Sequence, residues 1–203
     1  VDEIGLFPLE LVLLPTERVP LHIFEPRYRE LIGECVEQDR PFGLVFADDD
    51  GVRDVGTLAT VVEVVERFPD GRLNVVVEGG ERFRLLRLTE GRSFHTADVE
   101  ALLDADDDTP AALVERAVTL FERLLGLTGT EAEVPARDGP LPLSYALAGR
   151  FELSPELKLE LLRETSEAAR LARVCEILEG AAAELEHRRA VSDRAQGNGH
   201  VPH

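Results

Sequence analysis

The hydrophobic period of this chain changes once, across the run Asp104-Ala105-Asp106-Asp107-Asp108, and that change constrains the fold more than any other feature. Before it, from Ile4 to Val99, short apolar segments are broken by Pro, Gly and Asp. The runs Val61-Val62-Glu63-Val64-Val65 and Asn74-Val75-Val76-Val77 are rich in β-branched residues, which suit strands. After it, Leu113, Ala117, Leu120 and Leu124 recur at helical spacing. So do Ala168, Leu171, Cys175, Leu178, Ala182 and Leu185, on the seam of a helix packed against the chain's own helices. Like charges in the acidic run repel one another and resist folding, so the run reads as a hinge. The organisation expected is a β-rich lobe with one helix over 1–103, the hinge over 104–109 and a helical lobe over 110–189. A mobile tail is expected over 190–203, where there is no apolar period. The class is α+β.

Local signals sharpen this outline. Phe68-Pro69-Asp70-Gly71-Arg72 joins two strand-like runs, and Asp-Gly tolerates the positive φ of a tight hairpin turn. Leu11-Val12-Leu13-Leu14 is apolar on consecutive positions, as in a strand covered on both faces. Pro26 suits a first helical position. Tyr28, Leu31, Ile32 and Cys35 then follow on one face of a helix that should end near Gln38-Asp39. Thr109-Pro110 and Ser154-Pro155 are further helix starts, each offering a capping side chain before a first-turn proline.

The 203 residues suffice for one sizeable core or two small ones, and 44% apolar with 31% charged residues is the balance of a folded globular protein. With 40 acidic and 22 basic side chains the net charge is −18, and neither side of residue 103 is basic. That balance argues against nucleic acid as a partner, since a phosphate backbone rewards clustered cations. Lys158 is the sole lysine. Cys35 and Cys175 lie far apart in apolar helical patterns and read as buried free thiols. No stretch is apolar for long enough to span a bilayer, and the start Val1-Asp2-Glu3 lacks the positive region of a secretory signal. The expectation is a cytoplasmic protein without a membrane partner.

The chemistry-bearing residues do not converge. Lys158 stands between leucines rather than after a glycine-rich loop, so no phosphate-binding loop is encoded. Ser154 and Lys158 share the four-residue spacing of a serine–lysine pair, but Ser154 before Pro155 reads as a helix cap. His22, His95 and His187 are isolated from one another, and the aspartate run lacks the glycine and glutamate of a calcium loop; no metal or other cofactor is expected. His22, inside an apolar strand-like segment, reads as a hydrogen-bonded core imidazole.

One stretch carries a resemblance. Leu6-Phe7-Pro8-Leu9, Leu13-Leu14-Pro15 and Pro20-Leu21-His22-Ile23-Phe24-Glu25-Pro26-Arg27-Tyr28 together resemble the opening signature of the Lon protease amino-terminal domain family. Pro41-Phe42-Gly43, Val55-Gly56-Thr57, Asp70-Gly71 and Gly79 with Arg82-Phe83 follow in the family's order. The resemblance implies a PUA-like twisted β-barrel lobe followed by an α-helical bundle lobe. It also implies recognition of protein substrates, partly unfolded or apolar-rich polypeptides, with a separate ATPase or protease as a further partner. The chain stops where the family's ATPase would begin, so it is expected to be a stand-alone, non-enzymatic binding module.

Within the signature, Pro8, Pro15 and Pro20 bend or end strands, Glu25 caps the helix begun by Pro26, and Gly56 and Gly79 suit turns or bulges. Leu11, Leu13 and Leu14 read either as core or as an apolar patch for a peptide, and Arg27 and Tyr28 either as structural or as partner-facing. These five are the candidate peptide-binding residues. The competing functions are RNA binding by the PUA-like lobe and an unrecognised hydrolase.

Overall fold

The computed structural model describes residues 2–136 and 142–197. In chain order the elements are β1 (Asp2–Leu9), β2 (Arg18–Ile23), α1 (Pro26–Gln38), β3 (Phe42–Asp48), β4 (Gly51–Arg67), β5 (Leu73–Thr89), β6 (His95–Ala101), α2 (Ala111–Thr128), α3 (Leu143–Ala148), α4 (Pro155–Arg163) and α5 (Glu167–Gly197). This is a mixed α+β chain, and its helices and strands fall where the two periods divide.

The sheet closes on itself. Its order is β2-β5-β4-β3-β1-β6, and β6 also pairs with β5, so five strands form a ring with β2 attached outside it. The hairpin β4–β5 makes this possible because each of its strands is 17 residues long and serves two neighbours. The first half of β4 pairs with β3 as far as Ala59, and the second half of β5 pairs with β6. Beyond Ala59, β4 pairs with β5 alone, whose first half carries β2 on its other side. At the tip, Phe68 N–H donates to the Arg72 carbonyl at 2.9 Å and Gly71 takes φ +86°, as the Asp-Gly pair leads one to expect.

Side-chain alternation along this three-stranded extension puts Ile23, Leu73, Val75 and Val77 on the inner face, where they meet Tyr28, Leu31, Ile32 and Cys35 of α1 in one core. Burying a leucine or isoleucine of this kind contributes about 2 kcal/mol. Glu25 occupies the N-cap position of α1, but its carboxylate accepts from Arg27 rather than from the helix amides. The helix ends at Gln38, with Asp39 left-handed at φ 49°.

Leu11–Leu14 departs from its expected strand. It belongs to no strand, yet Leu13 and Leu14 are 1% and 0% exposed. A buried coil must satisfy its backbone by other means. Here Leu14 N–H donates to the Glu17 carboxylate at 2.9 Å, Thr57 Oγ1 donates to the Leu13 carbonyl at 2.7 Å, and Lys158 Nζ lies 3.4 Å from the Val12 carbonyl. Lys158 also pairs with Glu17, both side chains being 11% exposed. Gly79 lies not in a turn but at an irregularity of the β4–β5 pairing, and a Cβ there would stand 2.2 Å from the Leu14 carbonyl oxygen, so the segment can lie against β5 only at a glycine. Gly56 faces Phe83 in the same way, a Cβ there meeting the ring at 2.4 Å.

Two compact units divide the chain. The first holds 1–105 and 148–165, the second 106–147 and 166–203. Periodicity alone groups α4 with the other helices of 110–189, but α4 packs with the strands. Lys158 reaches Glu17, Arg163 binds Asp54 at 2.7 Å, and the buried Arg82 donates to the carbonyls of Leu162 and Glu164 and to Asp104. Ser154 caps α4, accepting from Leu157 N–H at 3.4 Å, whereas Pro110 rather than Thr109 occupies the N-cap of α2, without a side-chain bond.

In the second unit Arg116 pairs with Glu179 and Arg123 with Glu186, at 2.8 and 2.6 Å. The same offset in both pairs means that α2 and α5 run parallel. Their seam buries Ala117, Leu120, Phe121 and Leu124 against Leu171, Cys175, Leu178 and Ala182. Ser144, Glu167 and the fully buried Arg170 form a closed hydrogen-bonded group beside Tyr145. Helix α5 continues through Gly197, past the Ala190 at which the tail was expected to begin; residues 198–203, with His200 and His203, lie outside the described residues. No helix among the described residues is long and apolar enough to cross a membrane.

Candidate binding site

The outer face of the three-stranded extension is uncovered. Its rows follow from register: His22, Asn74 and Glu66 stand side by side across β2, β5 and β4, and Pro20, Val76 and Glu63 form the next row. Asn74 ties its own row together. Its Nδ2 donates to Glu66 at 3.2 Å and its Oδ1 accepts from His22 Nδ1 at 2.6 Å. Because the amide nitrogen is committed to a carboxylate, the oxygen faces the imidazole, and Nδ1 is the donor of that bond.

His22 is exposed on this face rather than in the core, since β2 alternates and only its odd-numbered residues turn inward. Phe24 and Phe68 flank it, each with its ring centroid 6.0 Å away, one stacked at 21° and the other edge-on at 82°. Arg72 lies 4.9 Å over Phe68 and is held by Asp70 at 2.7 Å. These spacings are those of attractive ring pairs. Phe24 falls between the last residue of β2 and the cap of α1. The flanking Ile23 and Tyr28 are buried, while Phe24 is 59% exposed. Single exposed apolar residues are ordinary; here three rings stand next to one another on one face.

Backbone pairing is blunted at both edges of this layer. Gly79 N–H donates to the Glu17 carbonyl, and by the alternation of an antiparallel ladder Pro20 then turns its nitrogen away from β5, so the outer edge of β2 lacks a donor there. The free edge of β4 is broken by irregularities at Val61/Glu63 and Val64/Glu66, which leave Val62 and Val65 exposed.

The five residues expected to bind peptide are not brought together at a surface. Leu13, Leu14 and Tyr28 are buried, the last at 4% exposure and stacked on Phe7 at 4.1 Å. Leu11 packs against the core. Arg27 is half-exposed, paired with Glu25 at 2.9 Å and lying 4.6 Å over Tyr28. The ring cluster was not foreseen, since Phe24 entered only as part of the signature and Phe68 only as part of the hairpin turn. The available signal was that His22 and Phe24 alternate with Ile23 at period two.

Other groups are spoken for. A cleft of about 240 Å³ beside α1, lined by Glu3, Leu31, Glu34, Arg92 and Phe94, has Arg92 bound to Glu34 and Glu3 accepting from Thr89. Burial pushes the Cys35 thiol up to about 11, with Arg40 opposing, and raises Cys175 as well, so neither is a ready nucleophile. No group of three metal-binding side chains occurs among the described residues.

Residues 3–180 match the model of the ATP-dependent protease La (LON) substrate-binding domain. The chain belongs to this family. Among curated proteins it is similar to the Lon protease of Paraburkholderia phytofirmans, 29% identical over 202 residues, which covers 92% of this chain and 25% of that one. It also resembles the Lon protease of Parabacteroides distasonis, 30% identical over 144 residues, 66% of this chain and 17% of that one. It thus spans at most about a quarter of the length of these relatives. Among solved structures, a Lon N-terminal domain protein from Xanthomonas campestris superposes with a TM-score of 0.68 at 28% identity, covering 86% of this chain and 97% of that one. The N-terminal domain of Mycobacterium avium complex Lon protease gives 0.64 at 16% identity, covering 90% and 98%, a likeness of fold. In this Lon substrate-binding domain the signature segment thus has two functions: Ile23 and Tyr28 build the core, while His22 and Phe24 face solvent.

Proposed function

We propose that this chain is a non-catalytic recognition module of a PUA-like type. It binds partly unfolded polypeptides through the His22–Phe24–Phe68 cluster, by apolar contact of side chains more than by strand addition. The observation that carries the reading is the exposed Phe24 beside two further rings, in a chain of the Lon substrate-binding family. Supply of captured segments to an ATPase or protease, in the cytoplasm, is the setting such a module serves.

The arrangement of the other groups supports a non-covalent role. Ser154 Oγ caps α4, and the Lys158 ammonium is engaged by Glu17, so the two do not form a nucleophile and its base. Among the described residues no hydroxyl or thiol hydrogen-bonds His22, so the Glu66–Asn74–His22 relay orients a ring without activating a nucleophile. The exposed arginines of β5 are offset by acids, Arg84 by Glu100 and Arg87 by Asp98, which weighs against RNA.

The test is titration of fluorescently labelled, unfolded casein into the protein and its Phe24→Ala and Phe68→Ala variants, with circular dichroism to verify folding. Each truncation removes roughly 1–1.5 kcal/mol of apolar contact, so affinity should fall about five- to tenfold. Folded variants that bind as well as the parent would refute the site.

A further inference from the structure

On the reading just given, we infer that this face selects segments in which an aromatic or aliphatic residue is flanked by lysine or arginine. The ring cluster sits at one end of the β2–β5–β4 layer, and two carboxylates, Glu66 and Glu63, line its β4 side in successive rows. Neither has a basic partner within ion-pair reach among the described residues: Glu66 accepts only the neutral amide of Asn74. The cations around the face are committed elsewhere. Arg18 is bound to Glu78, Arg72 to Asp70, Arg27 to Glu25, and Arg29 to the Asp70 carbonyl. Arg67 is exposed at the end of β4, opposite the inward-facing Leu73. The surface therefore presents rings beside uncompensated negative charge.

Geometry sets the spacing of the partner. His22 and Glu66 lie two strand separations apart, about 10 Å. An extended chain that seats an apolar side chain on Phe24 and Phe68 brings its residues two or three positions away over that distance, within reach of a lysine or arginine side chain. In the next row Val76 and Pro20 offer apolar surface beside Glu63, along which the methylene stem of a long cation can lie.

The test uses the full chain and four labelled peptides: one phenylalanine flanked by lysines, the same flanked by glutamines, the same flanked by glutamates, and a lysine peptide without an aromatic residue. At low salt the lysine-flanked aromatic peptide should bind about tenfold more tightly than the glutamate-flanked one, with the glutamine peptide between them. The preference should shrink below threefold in a Glu63→Gln/Glu66→Gln double variant and in high salt, while Phe24→Ala weakens all three aromatic peptides together. Equal affinities for the three, or a preference that survives the double variant, would overturn the inference and leave aromatic recognition standing. Equal binding of the lysine peptide without an aromatic would trace the attraction to diffuse charge and overturn it as well. No binding of any aromatic peptide would remove both the inference and the function it rests on.

Discussion

Glu17 and Lys158 show how much a pair of side chains must accomplish where a chain is buried without a strand partner. The carboxylate receives both an amide and an ammonium, and the ammonium also reaches the Val12 carbonyl. Removing one member of a buried pair leaves the other uncompensated, which typically costs 3–5 kcal/mol. Glu17→Ala should therefore lower the urea-unfolding free energy by about 3 kcal/mol; a midpoint unchanged from the parent would show that the coil does not depend on the pair. Cys35 makes a prediction on pH. Its folded value of about 11 lies above the ordinary thiol value of 9.0, so the unfolded chain ionises first as pH rises. Stability contributed by the neutral thiol is thus complete below pH 9 and is lost between 9 and 11, by roughly 2 kcal/mol at most. Cys35→Ala should flatten that alkaline decline, read as thermal midpoints from pH 8 to 11, whereas a parallel decline in both proteins would assign it to other groups. The residue scale is also where the sequence was least legible. Asp70-Gly71 announces its turn because only the dipeptide's own backbone is involved. Whether Leu13 is core or patch depends on Thr57, Gly79 and Lys158, residues tens of positions away.

Elements were legible wherever a local period and a local stop coincide, as in α1, which begins at Pro26 and ends at the left-handed Asp39. They were not legible where the partner decides. The two halves of β4 have different neighbours, and the exposure of Val62 and Val65 comes with irregular pairing with β5 rather than from their own character. The parallel course of α2 and α5 is a second case. Parallel neighbours cannot be joined by a short turn, and the intervening chain instead supplies α3 and sends α4 to the strand unit. The Arg116–Glu179 pair tests this register. Arg116→Glu and Glu179→Arg should each lower the urea midpoint only slightly, as expected of an exposed pair, and the double exchange should recover most of the loss. A double variant no better than the sum of the single ones would argue against the parallel register.

At the scale of the whole molecule, the strand unit is assembled from two stretches of chain, 1–105 and 148–165. A nick between them should therefore not release the second. An aspartate-directed protease acting at 106–108 should give two bands on a denaturing gel and a single peak on native gel filtration. Fragments that part without denaturant would contradict the docking of α4. The same arrangement has a consequence for reactivity. The sole side-chain amine of the sequence, Lys158, is enclosed by Glu17 and the Val12 carbonyl. An acylating or cross-linking reagent aimed at lysine meets no accessible side-chain target while the strand unit is intact, so labelling of Lys158 becomes a clock for α4 lifting away. Its rate should stay low under native conditions and rise sharply in Glu17→Ala, turning a compositional oddity into a one-site reporter of opening.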